Sequence, residues 1–436
     1  MIVMKKFLAA TLIIGNLFFS SIGNAEIKTY TATSEEVADK FEAQEVVKLR
    51  ARNKAIKIAL TEAGDYLKSN SELTDDEISA ITSNSFELVG LPQYNRTGKS
   101  STWSATVEIK IDDDEIKNWL NRDERDKQSL INQTKDTQKI FAANDLRLEE
   151  FRERAKNSSK QERYQIKTAF GYVEKEFLSN QKVADGNKFY YKRRFDDAIK
   201  LYTEALELNE DNIVACNRRG NIYGLLAAQQ KNIPIAESNR RQALTDLDKA
   251  LRLNPNYADA YGNRGFVYYC AKNFSAAIKD FDKAIQLNPL DAQNYTYRGL
   301  CYRQTDIAKA TADFDKAVEL LPNNPSVYFN RGKFYEYDAK DFSKAVQDYS
   351  RAIDLTTRED LLALNYQNRG SAYRKLKMFG KAIEDYTRAI EILEKPAQKN
   401  PLLPWVYRGR GECYQASGDS ANAQADLNKF AELQRR

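Results

Sequence analysis

The second half of the chain repeats one arrangement of small, aromatic and polar positions. Seven glycines follow one another at separations of 33 to 45 residues, and an aromatic residue stands three positions after each. The glycines are Gly186, Gly220, Gly265, Gly299, Gly332, Gly370 and Gly411, followed by Phe189, Tyr223, Tyr268, Tyr302, Tyr335, Tyr373 and Tyr414. Spacings of three and four residues place side chains on one face of a helix. We therefore expect each glycine to lie in a helix that approaches a neighbour closely.

A second helix is predicted after each of the first six glycine helices, because two alanines seven residues apart flank a bulky residue there. The bulky residues are Tyr202, Leu247, Phe281, Phe314, Tyr349 and Tyr386. Pro255, Pro289 and Pro322 are expected to end three of these helices, since proline cannot continue a helix. A period of about 34 residues is typical of stacked helix pairs, which bury their apolar faces only against neighbouring pairs.

The segment from Tyr257 to Leu290, YADAYGNRGFVYYCAKNFSAAIKDFDKAIQLNPL, resembles the tetratricopeptide repeat family nearly throughout. The resemblance extends over about residues 179–436 and implies a mainly α fold, a right-handed α-solenoid that binds proteins or peptides. The predicted repeats are 179–212, 213–257, 258–291, 292–324, 325–358, 363–396 and 404–436. The second repeat has about eleven extra residues, which predict either a lengthened helix pair or a protruding loop.

Charged residues recur in register with the repeat. An arginine directly precedes six of the glycines, and an aspartate recurs in the second helices. The residues are Arg219, Arg264, Arg298, Arg331, Arg369 and Arg410, with Asp246, Asp280, Asp313, Asp348, Asp385 and Asp426. We expect one partly buried ion pair in each repeat, because the guanidinium fork binds carboxylate in a fixed geometry. A ligand-binding ladder is the alternative.

The first helices of the stacked pairs are expected to line the inner surface of the solenoid. By helical phase, the candidate partner-binding face comprises Phe266, Tyr269, Phe329, Lys333, Tyr337, Gln367, Arg374, Trp405 and Arg408. Mixed aromatic and polar residues suit an extended peptide or a partner helix, although each of them also fits an ordinary solvated face. Phe430 stands where a small residue is usual, and no separate polar capping helix is expected after it. The last repeat is therefore a candidate for self-association or partner binding.

The front of the chain, residues 26–122, has the alternating and helical segments of a small α+β domain. Ser34 is expected to cap a helix that reaches about residue 66, after a strand at 27–33. A short helix at 75–82 and two strands at 86–94 and 103–111 follow.

The small-residue helix with Ala51, Arg52 and Ala55, and the closing alternating strand, weakly resemble a known module. It is the N-terminal module of exported bacterial proteins linked to flagellar and outer-envelope assembly. This resemblance implies a location in the cell envelope.

Residues 123–178 are predicted to be a charged helical linker of one or two helices, the second of which caps the first repeat. A coiled-coil dimer through this linker is a second route to self-association.

Residues 1–25 have the pattern of a secretory signal. Lys5 and Lys6 precede an apolar run of 13 residues from Phe7 to Phe19, and small residues lead to Ala25, where we expect cleavage. The run is short for a membrane span, so we expect membrane attachment only where the signal stays uncleaved. The expected location is the periplasm or envelope of a bacterium, and otherwise the medium.

Composition limits the chemistry further. The chain has 436 residues, of which 42% are apolar and 30% charged, and its net charge of +5 does not mark a nucleic-acid binder. It contains no histidine, which excludes histidine as a base or metal ligand. The four cysteines include no CxxC pair, so no zinc or redox motif is present, and they are expected to be small packing residues. A disulfide between Cys270 and Cys301 is the alternative.

Two segments imitate functional loops. Gly98-Lys99-Ser100 resembles the end of a phosphate loop, but Gln93 stands where that loop needs a glycine. Residues 112–115 are acidic but lack the spaced ligands of a calcium loop. We therefore expect no cofactor, no metal and no enzymatic activity. The expected function is that of an exported scaffold or assembly factor, and a periplasmic chaperone or secretion cofactor that holds extended polypeptides is the alternative.

Overall fold

The structure, a computed structural model, describes residues 27–37, 44–70, 73–88, 92–97, 102–112, 160–356, 358–395 and 400–435, with scattered helical residues between Lys127 and Arg154. It divides into two compact units, Met1–Ile222 and Tyr223–Arg436. The predicted signal at 1–25 and the Gly98-Lys99-Ser100 turn lie outside the described residues.

The first unit contains an antiparallel sheet around one long strand. Its strands are β1 (Ile27–Val37), β2 (Phe86–Leu88), β3 (Gln93–Thr97) and β4 (Thr102–Asp112). β4 pairs with β1 along its whole length, and β2 and β3 pair with successive parts of β4. The strand predicted at 86–94 is therefore two short strands. Pro92, which cannot donate to a sheet ladder, stands directly before β3.

Two helices, α1 (Gln44–Asn70) and α2 (Asp75–Ser85), complete the α+β part of this unit. Ala55, Ala59 and Ala63 of α1 are buried in one cluster with Ala32 of β1 and Val107 of β4. Small alanine side chains let the helix lie close to the sheet, so this cluster forms the core.

The predicted helix cap at Ser34 is wrong. Ser34 lies inside β1, and its buried hydroxyl donates a hydrogen bond to the carbonyl of Ala51 at 2.7 Å. The period-two burial of a strand continues through Ala32 and Ser34, because β4 is long enough to pair as far as Val37. Helix α1 consequently begins at Gln44, ten residues after the predicted cap.

The described residues of the first unit also include the helices α3 (Lys160–Tyr191), α4 (Phe195–Leu208) and the first part of α5 (Ile213–Gln229). Leu130 and Ile131 pack against residues of α1 and α2, and Phe177 of α3 is buried beside Val46. Parts of the predicted linker at 123–178 thus contribute to the core of this unit. The predicted boundary at 178/179 falls inside α3. The domain boundaries stay predictions.

The second unit contains eleven further helices among its described residues. They are α6 (Ile233–Leu253), α7 (Ala258–Cys270), α8 (Phe274–Leu287), α9 (Ala292–Tyr302), α10 (Ile307–Leu320), α11 (Pro325–Tyr337), α12 (Phe342–Leu355), α13 (Glu359–Lys375), α14 (Phe379–Glu394), α15 (Leu403–Ala416) and α16 (Ser420–Arg435). From α7 onward, each odd-numbered helix packs with the next helix as a hairpin, and each hairpin packs on the next one in the sequence. The predicted helical-hairpin repeat is confirmed here. The extra residues of the second predicted repeat extend α5 and α6 to 17 and 21 residues, with a short connection between them rather than a protruding loop.

The repeat glycines allow the two helices of a hairpin to meet. A Cβ atom on Gly265 would lie 2.8 Å from Cε1 of Phe281, and one on Gly332 would lie 2.9 Å from Cε1 of Tyr349. Phe281 and Tyr349 are fully buried. The predicted close approach of two helices at the repeat glycines is therefore confirmed at these hairpins.

The turn inside several hairpins contains a residue with positive φ. Arg193, Lys272, Lys340 and Lys377 have φ between 54° and 60°, and Gly418 has a φ of 86° in the last hairpin. The next residue then donates its backbone N–H back into the first helix, as Asn273 does to the carbonyl of Tyr268 at 2.9 Å. This left-handed residue reverses the chain and satisfies a terminal carbonyl.

Candidate functional site

The recurring arginines form intramolecular ion pairs. In the hairpin α7–α8, Nε and Nη2 of Arg264 donate to the two carboxylate oxygens of Asp280 at 2.8 and 2.7 Å. The same two-point pairing joins Arg298 to Asp313, Arg331 to Asp348, Arg369 to Asp385 and Arg410 to Asp426. These aspartates are almost fully buried. The expected structural ion pair is confirmed in these five hairpins. In each of them both oxygens of the aspartate carboxylate already accept hydrogen bonds from the arginine of the same hairpin.

Nη1, the third nitrogen of each guanidinium, donates a hydrogen bond to the helix that precedes the hairpin. Nη1 of Arg264 donates to Asp248 of α6 at 2.7 Å. The corresponding acceptors in the later hairpins are Asp282, Asp315, Ser350 and Thr387. Each guanidinium also lies near the ring of the tyrosine three residues earlier, at 5.6 Å for Arg264 and Tyr261. One side chain therefore holds the hairpin together and positions it against its neighbour.

The nine candidate residues all lie on α7, α11, α13 and α15, each of which is the first helix of its hairpin. We call the surface that these nine residues form the first-helix face. Tyr337 and Trp405 are 49% and 50% exposed. Lys333 and Arg408 are also exposed. Phe266, Tyr269, Phe329, Gln367 and Arg374 are half-buried.

The structure brings the candidate residues together in three groups. Phe266 and Tyr269 both contact the ring of Tyr297, with centroids 5.2 and 5.5 Å apart. The ammonium of Lys333 lies 5.7 Å from the ring centre of Phe329. The third group surrounds Trp405 and is the most accessible of the three aromatic groups.

Trp405 packs on Phe430 of the last helix, with ring centroids 5.5 Å apart. The guanidinium of Arg408 lies 5.8 Å from the centre of both rings and pairs with Glu412 at 2.9 Å. Arg374 of the preceding hairpin donates to the other carboxylate oxygen of Glu412. Two cations thus share one carboxylate beside an exposed indole ring, which leaves a local excess of positive charge.

Sequence reasoning missed a buried carboxylate beside Tyr337. Glu336 is 3% exposed and accepts hydrogen bonds from the hydroxyls of Tyr349 at 2.8 Å and Ser371 at 2.7 Å. Burial raises the pKa of Glu336, while its hydrogen-bond donors oppose that shift. Burial also raises the pKa of Tyr337 to about 12. The network connects α11, α12 and α13 directly beneath the first-helix face.

A sequence signal for this network does exist. Glu336 stands four residues after its repeat glycine, at a position where other repeats have Tyr269 and Arg374. The residue type at this position changes from hairpin to hairpin, whereas the glycine and the arginine before it recur. A variable position on an otherwise repeated helix face is where specific contacts can differ between repeats.

The described residues contain no cluster of three or more His, Cys, Asp or Glu side chains that could hold a metal ion. The four cysteines are free thiols, and burial raises the pKa of Cys301 to about 12 and that of Cys270 to about 11. A thiol with a raised pKa is mostly protonated at neutral pH and is a poor nucleophile. In the part of the chain that the structure describes, no helix combines the length and the apolar character needed to cross a bilayer.

Stacked helical hairpins with a mixed aromatic and charged first-helix face are the architecture of a helical repeat protein that binds other proteins. Residues 258–290 and 363–396 match the tetratricopeptide repeat model, and residues 241–270 match a second model described as TPR repeat. The hairpins α7–α8 and α13–α14, which contain the matches to the first model, are therefore tetratricopeptide repeats, a type of repeat that mediates protein–protein interaction.

The similar proteins match only parts of the chain. Hsp70-Hsp90 organizing protein 3 of Arabidopsis thaliana is 24% identical over 97 residues, 22% of this chain and 15% of the relative. RNA polymerase II-associated protein 3 of Xenopus tropicalis is 31% identical over 101 residues, 23% of this chain and 13% of the relative. The chain thus spans about a seventh of the length of these curated relatives.

Solved structures of similar architecture include a tetratricopeptide repeat protein from Parabacteroides merdae, with a TM-score of 0.41 and 16% identity. That likeness covers 59% of this chain and 93% of the other. PilF of Pseudomonas aeruginosa has a TM-score of 0.43 and 17% identity over 56% of this chain and 99% of its own.

Proposed function

We propose that this chain is a non-enzymatic scaffold that binds an extended polypeptide on the first-helix face of its second unit. The observation that supports this function is the group formed by Trp405, Arg408 and Arg374. An exposed indole next to an excess of positive charge suits a peptide that presents an apolar side chain beside an acidic one. Tyr337, on an earlier hairpin, provides a second exposed aromatic contact.

The similar proteins support a role in holding other proteins. One of them is named an Hsp70-Hsp90 organizing protein, and its similarity to this chain covers 97 residues. By analogy with that relative, we propose that this chain also organises or assembles other proteins. The chemistry of the first-helix face suits an acidic peptide with an apolar anchor residue, and we propose this class of peptide as the partner.

The test starts from an array of peptides that is probed with the tagged full-length chain. The best-bound peptide is labelled and titrated by fluorescence anisotropy against the wild type and the variants Trp405→Ala and Tyr337→Ala. We expect each variant to weaken binding about tenfold or more, or about 1.4 kcal/mol, with an unchanged melting temperature. Tyr172→Ala is the matched control, because Tyr172 is 72% exposed in the first unit.

Equal affinity of the two variants and the wild type would remove Trp405 and Tyr337 from the binding site. Binding to most peptides without regard to acidic or aromatic content would instead favour a chaperone that holds unfolded chains.

The scaffold is further proposed to act outside the cytoplasm, in the cell envelope of a bacterium. The sequence of residues 1–25 supports this location, because a basic start, an apolar run and a small residue at Ala25 suit a signal peptidase. N-terminal sequencing of the chain recovered from cell fractions tests it. We expect the mature chain to start at Glu26 in the exported fraction, and an intact Met1 in the cytosol would contradict export.

A further inference from the structure

Glu412 lies at the centre of the charged group beside Trp405. Nε of Arg408, one helical turn earlier in α15, donates to one oxygen of the Glu412 carboxylate at 2.9 Å. Nη1 of Arg374, in α13 of the preceding hairpin, donates to the other oxygen. One carboxylate therefore bridges two guanidinium groups from different hairpins, which is also the arrangement in which a peptide carboxylate would bind them.

This bridging carboxylate is accessible from solvent. The side chain of Glu412 is 31% exposed, and those of Arg374 and Arg408 are 31% and 49% exposed. By contrast, the aspartates that pair with the repeat arginines are almost fully buried, and Asp385 and Asp426 are 3% and 5% exposed. Partly exposed ion pairs contribute little to stability. A second carboxylate can therefore displace Glu412 at low cost, whereas the buried aspartates stay paired.

Both arginines have contacts that do not involve Glu412. The guanidinium of Arg408 lies 5.8 Å from the ring centres of both Trp405 and Phe430. Arg374 is half-buried and interacts with the side chain of Tyr386, which is itself fully buried. These contacts with rings hold the two cations close to their positions. Loss of the Glu412 carboxylate should therefore free a donor on each arginine without moving either one far.

The charge that a peptide meets at this group also depends on Glu412. Its carboxylate balances one of the two guanidinium charges. Like charges repel, so an acidic side chain that approaches Arg374 and Arg408 also approaches the negative charge of Glu412. The acid that holds the two cations thus opposes the binding of another acid to them.

We propose that Glu412 is an internal competitor for the acidic side chain of the peptide. It occupies one donor on each arginine, and it weakens the binding of every peptide acid that has to displace it. This inference rests on the proposed peptide-binding function and states how the first-helix face selects its partner. A peptide binds well when its acid reaches Arg374 and Arg408 while its apolar anchor covers Trp405.

The experiment measures peptide affinity by fluorescence anisotropy with the full-length wild type and Glu412→Gln. The probes are the best-bound acidic peptide of the array and its neutral twin, in which every Asp and Glu is replaced by Asn or Gln. We expect Glu412→Gln to bind the acidic peptide about fivefold more tightly than the wild type, since two partly exposed ion pairs no longer compete. The neutral twin should gain less than about twofold, because it has no carboxylate to meet the freed cations.

Glu319→Gln is the matched control, because it removes one negative charge from a pair with Lys316 that is exposed on α10, outside the first-helix face. It should leave both affinities unchanged. Glu412→Ala is a second variant, which removes the same carboxylate and should give the same gain. Arg408→Gln combined with Glu412→Gln should lose the gain, since one of the two freed cations is then absent. If a variant alters the melting curve, the ratio of its two peptide affinities decides, because a folding defect weakens both peptides alike.

Each of the other outcomes contradicts a particular claim. Equal gains for both peptides, or an equal gain in Glu319→Gln, would show that Glu412 does not compete with the peptide acid. Saturable binding of the acidic peptide to the wild type, with no gain in Glu412→Gln and Glu412→Ala, would overturn the role of Glu412 alone. Absence of saturable binding to the wild type and to both Glu412 variants would overturn the peptide-binding function together with this inference.

Discussion

At the scale of single residues, the recurring arginine is the most informative feature. Exposed ion pairs contribute little to stability, whereas breaking a buried pair leaves an isolated charge that costs several kcal/mol. Asp348 is 4% exposed, and burial raises its pKa although Arg331 binds both of its oxygens. The pair therefore positions the hairpins, and its loss is harmful mainly because one charge stays behind.

Replacing Arg331 by glutamine is expected to lower the free energy of unfolding by about 3 kcal/mol, because the Asp348 carboxylate then stays buried without a cation. Chemical denaturation followed by circular dichroism measures this loss. Arg358→Gln is the control, since the Arg358–Asp360 pair is 59% and 62% exposed, and it should cost less than about 1 kcal/mol. A double variant with leucine at both 331 and 348 should be more stable than Arg331→Gln. Equal losses at Arg331 and Arg358 would contradict a structural role.

The buried carboxyl of Glu336 gives stability a pH dependence. Its folded pKa is raised above the ordinary value of 4.5, so its ionised form destabilises the fold at neutral pH. This cost disappears as the pH falls below the unfolded pKa, where the group is protonated in both states. The melting temperature of Glu336→Gln minus that of the wild type should therefore be higher at pH 8 than at pH 4. A difference that grows more positive toward pH 4 would mean that the folded pKa is lowered.

At the scale of elements, the helix hairpin depends on a glycine that faces the second helix. A Cβ on Gly299 would lie 3.3 Å from atoms of both Asp313 and Phe314, and 3.4 Å from the carbonyl of Ala310. A larger side chain there must separate α9 from α10. Gly380, at the start of α14, has no such neighbour within 4 Å.

Gly299→Leu is expected to destabilise the chain by about 3 kcal/mol or more, because overpacking forces the helices apart. Gly380→Leu should stay within about 0.5 kcal/mol of the wild type, since its side chain would enter open space. Denaturant titration of both variants makes the comparison. Similar midpoints for Gly299→Leu and the wild type would show that the close approach at this hairpin is not required.

The elements also show what the sequence could and could not predict. The repeat helices were predictable because the same spacing recurs many times, which leaves little ambiguity in the helical phase. Ser34 was not, since TSEE fits both a helix cap and the end of a strand, and only the distant partner strand β4 decides between them. The sequence marks Glu336 as a variable position in the repeat but does not reveal its partner Ser371, because their hydrogen bond depends on which side chains meet between neighbouring hairpins.

At the scale of the whole molecule, two units with separate buried clusters make up the chain. Ile109 and Val107 belong to the core of the first unit, while Phe314 and Tyr349 belong to a cluster of the second. Tetratricopeptide hairpins contact mainly their neighbours, so damage to one core should spread only to elements that pack on it.

Ile109→Ala tests this independence, because Ile109 is fully buried and the substitution removes about 2–5 kcal/mol from its core. Hydrogen exchange of the full-length variant should become faster in β1, β4 and α1, which share that core. Exchange in α9 to α14 should match the wild type, since the buried contacts of those helices are within the second unit. Ile233→Ala, at a position 70% exposed, is the control and should leave exchange in β1, β4 and α1 unchanged. Faster exchange of α9 to α14 in Ile109→Ala would show that the two units unfold together, and the folding of the peptide-binding face would then depend on the α+β unit.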